Sequence, residues 1–449
     1  MKRQLRNITI CIVLLTMVLT ACQEGSPTDN SATAKPDGTH DPNTTLPEYT
    51  ELTEEDIARL DYLQNLHNEK VYNIQEFGAV PGEDVTEAIQ LAIDTLQENG
   101  GGIIYFPAGI YYVNQVVTFK RGQNAPITLL GEIGGELRSK ISVNNPHNTD
   151  GIMVESDNIS FANLEFMHKA NKGAAVCLTG DKATLYNCIF RNYTYGYTDS
   201  LLRVCGTGAV MSDLGFTVAN EEGHSINFTK LPGILSQNNK LVDTHIGGEF
   251  DGIVIDSRDP EGCPENLLLS RLTFLNYSGG QLDIHAVRGC VVAGSMLDQG
   301  YYYCIKICPD GVGVEDLTIT DNYISAAYRF SDDTFENYGI IFTNGDGKAK
   351  VHNVNISNNM IYYNRHGIYS ENDRVSNLYI SGNSVGDSTY SLNMKSLKDS
   401  TITANYFSSK FMIKIFTGEN SIFSNVITQL DSGCDFDKYA KENVIAAKG

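Results

Sequence analysis

An asparagine recurs through the second half of this chain inside one short frame. Leu317 to Ile324 reads LTITDNYI, Val354 to Ile361 VNISNNMI, Leu378 to Val385 LYISGNSV, Ser400 to Phe407 STITANYF, and Ser421 to Ile427 SIFSNVI. The asparagines Asn322, Asn359, Asn383, Asn405 and Asn425 stand 37, 24, 22 and 20 residues apart. Upstream the same slot holds Leu164, Cys188, Leu214, Leu272 and Ser295. Periods of this size indicate a solenoid, one coil per period, with parallel strands stacked about 4.8 Å apart. An inward asparagine in such a stack can bond its counterparts above and below, so the series reads as structural. About a dozen coils make a rod some 50–60 Å long.

The chain begins differently. Lys2, Arg3 and Arg6 precede an apolar run from Ile8 to Leu19 that is short for a bilayer span. Leu19-Thr20-Ala21-Cys22 resembles the lipobox of bacterial lipoproteins. That resemblance implies a signal peptide over 1–21, a lipidated Cys22 and an exported protein held at the cell envelope by its lipid. Residues 22–48 are polar and Pro-containing, a flexible tether. Residues 49–70 read as a short helical segment, with Ile57, Leu60, Leu63 and Leu66 on one face, and 71–449 as the solenoid domain.

Composition narrows the partners. Lys plus Arg number 33 against 54 Asp plus Glu, a net charge of −21. Nucleic acid would be repelled by such a surface. Ten cysteines include no CxxC pair and no His/Cys set at zinc spacing, so neither a structural metal nor another cofactor is expected from spacing. Most cysteines read as buried thiols.

At the start of the solenoid, Phe77-Gly78-Ala79 leads to a helix ending near Leu96, with Asp84 and Glu87 placed as a capping box. Gly100-Gly101-Gly102 and Phe106-Pro107-Ala108-Gly109 follow. This stretch resembles the N-terminal cap of the pectate-lyase-like superfamily, which includes rhamnogalacturonase- and epimerase-like proteins. The resemblance implies a right-handed parallel β-helix capped by that helix. The irregular tail after Asp431 would cover the other end.

In such a rod, chemistry sits on outward positions, which alternation identifies. Val254, Asp256 and Arg258 face out, as do Gln281, Asp283 and His285, and then Cys304, Lys306 and Cys308. Counting periods aligns Asp256, Asp283 and Lys306 in one row and Arg258, His285 and Cys308 in the next. Two carboxylates on adjacent coils would then lie about 5 Å apart, the spacing of a retaining glycosidase pair. Asp256 and Asp283 are thus candidate acid and nucleophile, with Arg258, His285, Lys306, Glu249 and Tyr301 as candidate sugar-binding residues. The same charges could equally form a ladder of ion pairs.

Two further resemblances bear on the reaction. Asn148-Thr149-Asp150-Gly151 looks like the first motif of the polygalacturonase family, but that family's paired Asp is missing one coil later, where Asn171-Lys172-Gly173 stands. His245 to Ile253 is similar to a segment of the inulin fructotransferase and difructose-anhydride family, whose acid/base residue would fall on Asp251. A calcium-dependent lyase drawing on Asp251, Asp256, Asp283 and Arg258 is another enzyme class open to the chain. A non-catalytic glycan-binding rod, using Tyr301, Tyr302, Tyr303, Tyr362, Tyr363 or Tyr369 as sugar platforms, is the other alternative. The expected partner in every case is a polysaccharide or oligosaccharide.

Overall fold

The coils close because each contains a corner that only a few residues can make. Asn163, Asn187, Asp213, Asp243, Arg271, Gly294, Asp321, Asn358 and Gly382 all adopt left-handed backbone, with φ between 50° and 66°. Asn, Asp and Gly enter this region most readily. Each of these residues directly precedes the inward slot that carries the repeat.

The structure is a computed structural model. It describes residues 51–427 apart from 67–69, 133–137, 145–148, 195, 219–222, 249–251, 277–278, 327–335, 410–412 and 420–421. Cys22, Glu249, Asp251, Asn148 and the tail after Asp431 lie outside the described residues. The described residues fall in one unit, Leu46–Gly449. They wind into a right-handed parallel β-helix of about 11 turns. Three strands make each coil, and through the body of the helix each strand pairs in parallel with the third strand after it. This gives three walls. The first contains His224–Lys230, Ile253–Ser257, Leu282–Ile284, Tyr303–Ile307, Tyr338–Phe342 and His366–Ser370. The left-handed corner joins the second wall to the third.

Inward residues form one continuous core. Phe166, Phe190 and Phe216 stack on successive coils with ring centroids 4.9 and 5.0 Å apart. Further along, the asparagines form the ladder that the repeat predicts. Nδ2 of Asn322 donates to Oδ1 of Asn359 at 3.0 Å, Asn359 to Asn383 at 2.9 Å, Asn383 to Asn405 at 2.8 Å and Asn405 to Asn425 at 2.8 Å. Each Oδ1 also accepts the backbone N–H of the preceding rung.

Helix α1 (Glu54–Gln64) carries a capping box between Thr53 and Asp56. It buries Leu60 and Leu63 as expected, but leaves Ile57 46% exposed. Asp56 turns inward with them and pairs with buried Lys240 on the second wall, so a polar contact sets the helix's rotation. Helix α2 (Thr86–Glu98) covers the N-terminal end of the core with Ile89, Ala92, Ile93 and Leu96. Its N-cap is Val85 with no side-chain cap. Asp84 instead accepts from the backbone and hydroxyl of Thr86 at 3.0 and 2.6 Å, so the expected box with Glu87 does not form.

Asn383 stands in the middle of the ladder. Replacing it with Ala strips partners from both donors of Asn359 and from the Ile356 carbonyl, all buried. At about 1–3 kcal/mol per orphaned group, the Asn383→Ala chain should lose roughly 3–5 kcal/mol, read by chemical denaturation. A loss below about 1 kcal/mol would refute the ladder's structural role.

Candidate functional site

The outward face of the first wall gathers charge where the alternation places it, but in a different register. Val254, not Asp256, pairs with Asp283, which pairs in turn with Lys306. The rows are therefore Asn227, Val254, Asp283, Lys306 and, beside them, Thr229 and Asp256. His285 continues the latter row on the next coil. The strand starts ten residues after the corner in one coil and eleven in the next, because the turn into the first wall varies in length. Counting periods skips that difference. The Cα atoms of Asp256 and Asp283 are consequently diagonal neighbours, about 8 Å apart rather than 5 Å.

Asp283 is only 4% exposed, yet it is surrounded by cations. Lys306 Nζ lies 2.9 Å from Oδ2 and His285 Nε2 3.3 Å from Oδ1. The Tyr303 hydroxyl donates to Oδ2 at 3.3 Å, and Lys306 also sits over the Tyr303 ring. That ring occupies the space over Gly280, where a Cβ would approach it to 2.0 Å. Burial pushes the Asp283 pKa up, but His285 and Lys306 outweigh it and hold the carboxyl below its usual range. Asp283 is a fixed anion behind the surface.

His285 links this anion to the outside. Nδ1 lies 2.9 Å from Asp310 Oδ2, and the Cys308 thiol also bonds the ring. Burial opposes the imidazolium, but the bonds to Asp283, Cys308 and Asp310 and the Asp283 charge push its pKa up to about 11. The bond to His285, against burial, brings the Cys308 thiol down. His285, Cys308 and Asp310 each offer a ligand atom, and these atoms lie within 4.8 Å of one another, close enough to be drawn around a metal ion.

Outside them opens a cleft of about 300 Å³ lined by Asp256, Ser257, Asp259, Pro260, His285, Ala286, Asp310 and Gly311. It lies where the strands of the first wall turn toward the second. Asp259 is near Lys230, at 3.4 Å. Asp256 accepts from Asn227 through Oδ2 at 3.3 Å, while its buried Oδ1 has no hydrogen-bond partner among the described residues.

The fold thus brings together Asp256, Asp283, His285 and Lys306. Arg258 is exposed and does not line the cleft. Tyr301 packs edge-on against Tyr302 at 4.8 Å and does not line the cleft either. Cys304 is fully buried, contrary to its outward assignment, with its thiol directed to the Leu297 carbonyl at 3.6 Å. Sequence reasoning did not single out Asp259 or Asp310, although Asp310 continues the outward alternation of Lys306 and Cys308. Within the polygalacturonase-like tetrapeptide, Asp150 has a structural task. Asp150 accepts from Arg203 at 2.9 and 3.0 Å and from the Ala174 N–H at 2.7 Å, within a partly buried cluster around Arg203 that includes Asp199.

No family model matches the chain. Among curated proteins it is similar to the SPbeta prophage-derived uncharacterized protein YomE of Bacillus subtilis (strain 168), 22% identical over 284 residues. The match takes in 58% of this chain and 43% of that protein, so the chain spans less than half of its relative's length. Among solved structures, a mutant tailspike protein of E. coli bacteriophage HK620 in complex with a pentasaccharide aligns with a TM-score of 0.56. It is 14% identical, over 87% of this chain and 84% of that chain. A second mutant of that tailspike, also with pentasaccharide, gives a TM-score of 0.55 at 14% identity, over 84% and 78% of the two chains. These likenesses show the shared β-helical fold.

The raised folded-state pKa of His285 sets the sign of a pH effect. Its pairing stabilises the fold fully below the unfolded value of about 6.5, and that contribution is lost as pH rises through about 11. In chelator-treated protein the His285 ring should remain protonated through pH 9 by NMR, and Asp283→Asn should lower its titration by about 1–3 pH units. A wild-type ring titrating near 6.5 would contradict the pairing.

Proposed function

We propose that this chain is an exported glycan-processing β-helix that cleaves or transfers a glycosidic bond in the Asp256 cleft. The observation that carries the reading is a cleft of about 300 Å³ with carboxyl groups from coils two apart, Asp256 and Asp310, in its lining. Coils two apart are separated by about 10 Å, and Asp310 leans back toward His285. Such a pair suits the roughly 6.5–9.5 Å of an inverting glycosidase better than the 5–5.5 Å of a retaining one. In this scheme Asp256, with its unpartnered oxygen, exchanges a proton with the glycosidic oxygen or the attacking water, and Asp310 serves as its counterpart. Asp283 stays ionised and positions His285. The tailspike similar in fold is seen with a pentasaccharide, which agrees with a saccharide partner. A calcium lyase finds less support, because Asp283 faces Lys306 and His285 instead of converging with Asp256.

Non-catalytic glycan binding is the second reading, favoured by exposed Tyr302 and Tyr363, at 49% and 42%. Screening a polysaccharide panel separates the two. The cleavage reading expects reducing ends of inverted configuration, and a turnover about 10²–10⁴-fold lower in Asp256→Asn with unchanged melting. Binding without turnover, lost on Tyr302→Ala and kept in Asp256→Asn, favours the second reading. Neither turnover nor binding rejects a glycan partner. Lipid anchoring is tested separately, since Cys22→Ala should move the protein from the membrane fraction to the soluble one.

A further inference from the structure

We infer that His285, Cys308 and Asp310 form a three-ligand site for one divalent cation of the zinc class, with its fourth side open to the Asp256 cleft. The inference does not depend on the glycan reading, and in the metal-bound chain Asp310 is a ligand instead of the counterpart of Asp256. The three donors are an imidazole nitrogen, a thiol sulfur and a carboxylate oxygen, all within 4.8 Å of one another. A zinc ion takes such donors at about 2.0–2.3 Å in a tetrahedron, which sets them roughly 3.3–3.8 Å apart. Closing the set therefore needs shifts of about an ångström or less. Asp310 can supply them, since its side chain is 46% exposed.

The backbone already fixes where the ligands emerge. Cys308 N–H donates to the Ile284 carbonyl at 2.8 Å and Asp310 N–H to the His285 carbonyl at 2.9 Å, tying the turn to the coil that carries His285. The ring is also oriented from behind. Nε2 faces Asp283, which Lys306 and Tyr303 hold in place, so Nδ1 is left toward Asp310. A carboxylate behind the non-ligating nitrogen is the support that metal-bound imidazoles usually have. His285 and Asp310 also line the cleft, which gives the site an entry path.

The donor set selects the ion. Calcium and magnesium favour oxygen ligands, six or more, whereas a nitrogen and a sulfur suit zinc and its first-row neighbours. Binding displaces the Nδ1 proton of the imidazolium and the thiol proton of Cys308 to solvent. No oxidation state changes.

The test uses the reduced, chelator-treated full-length chain titrated with Co²⁺ alone. Saturation is expected at one equivalent, with a thiolate-to-cobalt charge-transfer band that stoichiometric Zn²⁺ removes. Cys308→Ser should abolish the band. His285→Gln and Asp310→Asn should weaken binding at least tenfold, and Asp283→Asn by about 10–100-fold. Asp310→Asn alters a half-exposed turn side chain and leaves the stronger Asp283 pairing of His285 in place, so its melting in chelator should stay close to the wild type, which separates ligand loss from misfolding. Absence of the band at one equivalent, its persistence in Cys308→Ser, or wild-type affinity in Asp310→Asn overturns the inference. No sugar is present, so the outcome is independent of the glycan screen.

Discussion

A parallel solenoid survives only if every coil returns to the same path, because each backbone amide must meet a carbonyl one coil away. In this chain the corner between the second and third walls enforces that return. A left-handed residue turns the chain, and the residue after it points inward against its counterpart in the next coil. Where that counterpart is asparagine, the side chain completes the hydrogen bonding of the corner's own backbone. Oδ1 takes the N–H of the rung before, and Nδ2 reaches a carbonyl such as that of Ile356 or Ile380. A buried amide is costly without partners, and in the ladder each one is supplied with them. Upstream, Leu164, Leu214 and Leu272 fill the slot with apolar packing, so the corner tolerates either solution as long as neighbouring rungs match.

That rigidity gives the outer wall its electrostatics. Asp283 is nearly buried, and an isolated carboxylate there would be strongly disfavoured. It is tolerated because the adjacent coil brings Lys306 into register and its own strand brings His285 two residues on. The consequence runs outward. An ionised Asp283 keeps the imidazole charged, and the charged imidazole bonds the Cys308 thiol and holds Asp310 at the edge of the cleft. Packing, register and acid–base state form one chain of causes here, from the core to the cleft.

The sequence made the fold readable because the corner leaves a mark: Asn322, Asn359, Asn383 and Asn405 recur with apolar flanks, and Gly78, Gly100 and Phe106 mark the cap. It also made the outward face readable, since strict alternation placed Asp256, Asp283, His285 and Lys306 on one side. The row was less legible. Register on the first wall depends on a turn whose length changes from coil to coil, and nothing in the composition of that turn reports its length. Cys304 was misassigned for a related reason. It is the second residue of its strand, and it and Ile305 are both fully buried in the core, so burial does not alternate there. Asp310 lies three residues beyond the end of its strand, so alternation reaches it only when it is carried past Ile307 into the turn.

The same geometry explains why a metal-ligand set can escape a search for short spacings. Familiar zinc motifs place ligands two to five residues apart because a hairpin or a helix turn must bring them together. In a solenoid the coil does that work. His285 and Cys308 are 23 residues apart along the chain, yet adjacent coils put them side by side, and Asp310 follows Cys308 by two residues, one full alternation. One period is thus the local distance of this fold. Candidate sites in β-helices are better sought among residues that share an outward column than among residues close in sequence. By that rule His285 and Cys308 stand out, with Asp310 one alternation further on, whereas Cys304 and Cys308, four apart, do not, because Cys304 lies in the core and Cys308 beside the His285 ring.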